Sequence, residues 1–74
     1  MTDGRLRREI VLGVLRDGGV EVSKKPDGRS KMYTLAKGDI VLSMSLPDFI
    51  TRRMVHYLSR KFGIYIHAFY RASP

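Results

Sequence analysis

The sequence has no cysteine, which excludes a disulfide framework and any thiolate metal site. A chain of 74 residues buries only about 60% of the surface its unfolded form exposes. With a core that thin and no covalent staple, stability has to come from apolar packing or from a partner subunit. The lack of cysteine also suits the reducing cytoplasm. Long hydrophobic runs are missing too. The stretch from Ile10 to Leu15 falls far short of the roughly 20 residues a bilayer span needs, so no membrane partner is expected. Residues Met1 to Glu9 carry both signs of charge, and no apolar core precedes a small-residue cleavage site. The mature chain is therefore expected to be the whole chain, one domain over residues 1–74. His56 and His67 are the only histidines; without cysteine they make no ligand set, and no metal is expected. Glycine-rich phosphate loops and Ser-His-Asp patterns are absent as well, and no cofactor is expected. Neither an internal repeat nor a linker interrupts the chain.

Acidic residues are scarce: 7 Asp and Glu against 14 Lys and Arg, a formal net charge of +7. So large an excess on so short a chain points to a polyanion, and the placement of the basic residues decides how far that inference carries.

From Arg5 to Asp17 the apolar residues Leu6, Ile10, Val11, Val14 and Leu15 recur at offsets of three and four, one face of a helix. Gly18-Gly19 ends it, because glycine enters the left-handed region without a Cβ clash. Val20 to Lys24 alternates apolar and polar, the period of a half-buried strand. Lys25-Pro26-Asp27-Gly28-Arg29 reads as a turn. Ser30 to Ala36 resumes as a strand, Lys37-Gly38-Asp39 turns again, and a third strand follows. In that strand Ile40, Leu42, Met44 and Leu46 point one way and Val41, Ser43 and Ser45 the other. Ser45-Leu46-Pro47-Asp48 reads as a helix start, with Ser45 or Asp48 as the cap. Ile50, Met54, Val55, Tyr57, Leu58 and Phe62 then form the apolar face of a second helix, stopped at Gly63. Tyr65 to Tyr70 fits a short strand or a last helical turn equally well. The expected fold is α+β, in the order α-β-β-β-α: a three-stranded antiparallel sheet with two helices on one face and a short C-terminal element.

Two basic clusters stand out. On the second helix Arg52, Arg53, His56 and Arg60 fall within about 100° of arc, away from the core face. Like charges at i, i+4 cost the helix a few tenths of a kcal/mol per pair, and a merely solvated face would usually mix in Glu. This ridge reads as a contact surface for phosphates. Lys24, Lys25, Arg29 and Lys31 spread across the first hairpin, where they can reach a nucleic-acid groove or simply keep an edge strand from aggregating. For acid–base chemistry the candidates are His56, His67, Tyr33, Tyr70 and the lysines, Lys31 among them. His67 sits in an aromatic stretch and is expected to be packed; His56 is better placed to meet a phosphodiester.

The order helix, three antiparallel strands, helix is that of the double-stranded-RNA-binding fold, and over most of its length the chain resembles the HicA family of mRNA interferase toxins. Arg7 to Val22 resembles that family's first helix and its glycine-ended step into the first strand. Arg53 to Ile64, ending Phe62-Gly63-Ile64, resembles its second helix, though Arg53-Met54 stands where the family usually has Gly-Thr. The family's catalytic Gly-Ser-His corresponds to Gly28-Arg29-Ser30-Lys31, with one residue inserted and lysine in the place of histidine. Lysine, whose amine ordinarily titrates near pH ~10.4, is a poor proton acceptor at neutral pH, yet it binds phosphate well.

The resemblance thus implies RNA as partner and leaves open whether that RNA is cut or only held. It also implies an acidic, antitoxin-like protein partner covering the basic surface. Two other readings stand beside RNA binding: a ribonuclease toxin using His56 or His67, with Lys31 steadying developing negative charge, and an assembly module whose sheet face or aromatic tail forms a homodimer.

Overall fold

A computed structural model describes residues 4–24 and 32–72. Its elements are β1 (Leu6–Arg7), α1 (Arg8–Asp17), β2 (Glu21–Lys24), β3 (Met32–Lys37), β4 (Ile40–Ser45), β5 (Phe49–Ile50), α2 (Arg52–Phe62) and α3 (Ile66–Arg71). The fold is α+β. Strands β2, β3 and β4 form an antiparallel sheet in that order, and β1 pairs with β5 in a separate two-stranded ribbon.

The sheet register follows from the alternation of side chains. Leu35 stands opposite Val22 on one side and Leu42 on the other, and Tyr33 stands opposite Lys24 and Met44. Partners directly across an antiparallel pair share a face, so Val22, Tyr33, Leu35, Leu42 and Met44 all turn toward the core. The opposite face carries Glu21, Ser23, Thr34, Ser43 and Val41, and Val41 is 67% exposed. A one-residue slip would exchange Leu35 for Thr34 and Leu42 for Val41. Leu15, Leu35, Leu46, Ile50, Leu58 and Phe69 are fully buried, so α1, α2 and α3 all contribute to one core on one side of the sheet.

The expected first helix begins three residues too early. Leu6 and Arg7 are extended because they pair with Ile50 and Phe49, and Leu6 reaches the core from that ribbon rather than from a helix. Helix α1 starts where the Arg8 amide donates to the Asp48 carbonyl at 2.9 Å. Its C-terminus is closed by a Schellman arrangement: Val20 N–H donates to the Leu15 carbonyl at 2.9 Å and Gly19 N–H to the Arg16 carbonyl at 3.0 Å. Gly19 takes the left-handed φ of +89° that this motif requires. Gly18 leaves room for a side chain, since a Cβ there would lie 2.8 Å from Ile64 Cδ1 and the isoleucine would have to shift.

The second helix also starts later than expected. Ser45 ends β4, Asp48 pairs with Arg8 at 3.3 Å, and Phe49–Ile50 is strand. The N-cap is Thr51, whose Oγ1 accepts the Met54 amide at 3.3 Å. Neither Ser45 nor Asp48 is the cap because the segment between them and α2 is committed to pairing with β1. Gly63, at φ +66°, stops α2 as expected. The Ser59 hydroxyl donates to the Ile64 carbonyl beyond it, and Lys37 Nζ donates to the Phe62 carbonyl at 3.2 Å. The end of α2 is thereby fixed to β3. The C-terminal segment, open between strand and helix in the sequence, is α3, a third helix held by buried Phe69 and by Tyr70, whose hydroxyl donates to the Gly4 carbonyl at 2.8 Å. No helix among the described residues is long and apolar enough to cross a membrane.

Candidate nucleic-acid interface

Helix α2 buries Val55, Leu58, Ser59 and Phe62, with Met54 half-buried beside them, and turns the rest of its circumference to solvent. Arg53, His56 and Arg60 lie on that outer side, and together with Tyr57 they line one shallow hollow of about 410 Å³. Two arginines and a histidine line the same space, and no acidic side chain among the described residues lines it. An anion there would have cationic and hydrogen-bond-donating side chains around it and no competing carboxylate among the described lining residues.

The two long helices handle their dipoles differently. In α1, Glu9 sits in the first turn and Arg16 in the last, the arrangement the macrodipole favours. In α2 the first turn holds Arg52 and Arg53 and no acid, so positive side chains add to the positive end of the dipole. That placement works against the helix and strengthens the local field for an anion. The basic residues of the last turn, Arg60 and Lys61, agree with the dipole and would be unremarkable without Arg53 and His56 beside Arg60.

Arg52 belongs to the ridge by spacing but not to the hollow. Its Cβ, Cγ and Cδ lie 3.0–3.2 Å from where a Cβ on Gly4 would stand, so the side chain runs along the backbone of the N-terminal segment. Gly4, with φ +84°, is the residue that permits this close approach. Of the hairpin cluster, Lys25, Arg29 and Lys31 lie outside the described residues, as does the whole Gly28-Arg29-Ser30-Lys31 stretch. Lys24 is exposed on β2, with Nζ 6.0 Å from the centre of the Tyr33 ring, and lines neither this hollow nor the groove next to it.

Arg8 approaches the same Tyr33 ring, at 5.6 Å, while donating to the Leu46 carbonyl at 2.9 Å. Its guanidinium joins α1 to the β4–β5 connection and has a structural duty rather than a free face. His67, expected to be packed, is exposed on α3 with its ring 5.0 Å from that of Tyr65, itself 67% exposed. Buried Phe69, on another side of this short helix, takes the core position instead.

Tyr57 is the residue that periodicity misassigned. Counted with Met54 and Leu58 it belongs to the apolar face, yet it is 44% exposed and stands between the basic hollow and a second, more apolar groove. That groove, about 470 Å³, runs between β4 and the first half of α2 and is lined by Leu42, Ser43, Met44, Thr51, Arg53, Met54 and Tyr57. The available signal was the i, i+4 step from Arg53 to Tyr57, which sets the ring at the border of the charged arc. Comparison of the chain with protein-family models, curated proteins and solved structures found no match.

Proposed function

We propose that this domain binds RNA through the outer face of α2, with Arg53, His56 and Arg60 on backbone phosphates. The observation that carries the reading is their convergence on one hollow that no carboxylate lines, on a chain of net charge +7. An α+β domain with one open sheet face and helices on the other suits the double-stranded-RNA-binding type of arrangement, and with it a HicA-like ancestry. Recognition by charge and backbone shape, rather than by base edges in a groove, is what such a surface offers. An acidic protein would be attracted to the same face, as the HicA resemblance implies for an antitoxin.

The test is an anisotropy titration of labelled RNA against salt concentration. Each phosphate neutralised contributes a slope of about −0.9 in log affinity against log salt on a duplex and about −0.7 on a single strand. Three to four contacts, on the order of what α2 can reach, predict a total slope near −3. Arg53→Ala and Arg60→Ala should each flatten it by about one unit. Binding indifferent to salt would overturn the proposal.

Cleavage is the second reading, and His56 favours it. An imidazole between two guanidinium groups is a suitable proton carrier beside groups that stabilise a pentacovalent phosphorane. A gel of the RNA after titration reports cleavage directly. If expression arrests growth and neither His56→Ala nor His67→Ala relieves the arrest, the ribonuclease reading by these histidines fails.

A further inference from the structure

The basic hollow and the apolar groove share two lining residues, Arg53 and Tyr57, and so adjoin across these side chains as one surface region with two chemically different halves. We propose that it is a site for a single unpaired nucleotide of RNA, the base lying against Met44, Met54 and Tyr57 and its phosphate held by Arg53, His56 and Arg60. This deepens the RNA reading of α2 and rests on it.

A nucleotide has the same two-part character as this region. Its base has flat apolar faces with a polar rim, and its phosphate is an anion a few ångströms away. Half-buried Met44 and Met54 offer polarisable thioethers suited to an aromatic face, and the half-exposed Tyr57 ring offers a stacking surface. One hydroxyl sits at the groove margin for the rim of the base. Thr51 Oγ1 accepts from the Met54 amide, which leaves its own proton free to donate. A base stacked and paired within an A-form helix has neither face available, so the region selects loops, bulges or single strands. An acidic peptide bearing an apolar side chain is the rival occupant. The stacking ring at the junction of the two halves favours the base.

The test compares a labelled single-stranded oligoribonucleotide with a blunt RNA duplex of equal phosphate number at one salt concentration. The wild type should prefer the single strand. Tyr57→Ala and Met54→Ala should each weaken single-strand binding about tenfold, equivalent to ~1.4 kcal/mol of stacking, and leave duplex binding unchanged. Tyr57→Phe, which keeps the ring, should bind as wild type does. Far-UV circular dichroism confirms that each variant is folded. Arg60→Ala should weaken both RNAs and reports on the underlying reading alone. If Arg60→Ala weakens both while Tyr57→Ala weakens neither, or weakens both equally, the nucleotide site is wrong and RNA binding survives. If the wild type binds neither RNA, or binds only a Glu-rich peptide added as a third probe, both fall together.

Discussion

Thr51 is the residue on which the position of the interface depends, and its removal should have a calculable effect. Its Oγ1 satisfies one of the amides left unpaired at the start of α2. At 3.3 Å and exposed to solvent, this cap belongs in the lower half of the usual range, about 0.5–1 kcal/mol on substitution by alanine. Unfolding entropy near 2.1 cal/mol/K per residue gives about 155 cal/mol/K for a chain of this length. Thr51→Ala should therefore lower Tm by about 3–6 °C. Thr51→Ser, which keeps the acceptor, should stay within about 1 °C. Thr51→Asp should raise Tm, because a carboxylate there caps the helix and also offsets the uncompensated Arg52 and Arg53. The same carboxylate borders the groove, so the stabilised variant should bind RNA more weakly. Thermal melts followed by circular dichroism measure all three. A Tm unchanged in Thr51→Ala, or lowered equally in Thr51→Ser, would refute the capping role.

Other substitutions test the fold around the site. Gly63→Ala forces a Cβ into a φ of +66° and should cost about 1 kcal/mol, visible as a lower urea midpoint with an unchanged slope. Leu35→Ala empties a fully buried position and should cost about 2–5 kcal/mol, whereas Val41→Thr, on the open face, should stay within about 0.5 kcal/mol; equal effects from the two would mean that the sheet register is wrong. Tyr70→Phe removes the hydrogen bond to the Gly4 carbonyl and should cost about 0.5–1.5 kcal/mol, with faster amide exchange in α3 and the N-terminal segment as its signature.

The meander was legible in the sequence because strand periodicity is local. Val22, Leu42 and Met44 face inward as alternation predicts. The helix boundaries were not, and the reason is tertiary. Leu6 and Ile50 fit helical periodicity equally well, and only their mutual pairing makes them strand. For the same reason Ser45 and Asp48 look like caps and are not. Arg53, His56 and Arg60 were found by winding the helix, since their shared face depends on nothing beyond α2 itself. The local pattern groups Arg52 with them because nothing in it reveals Gly4 beneath the side chain, and it assigns Tyr57 to the core because a border position on a helix is decided by what packs there.

The bond from Tyr70 to Gly4, with β1 on β5, has a bearing on folding order. These contacts join Gly4 to Tyr70 and Leu6–Arg7 to Phe49–Ile50, while β2, β3 and β4 are linked by nearest-neighbour pairing. Contacts that close long loops carry the larger entropy cost and tend to form late. A chain emerging from the ribosome can complete the meander before α3 has been synthesised, but cannot make the Tyr70 contact until α3 is available. The outer face of α2 would then acquire its final support, with Arg52 laid across Gly4, only in the closing step of folding. Pulse-labelled hydrogen exchange should find amides of β3 and β4 protected before those of β1 and α3.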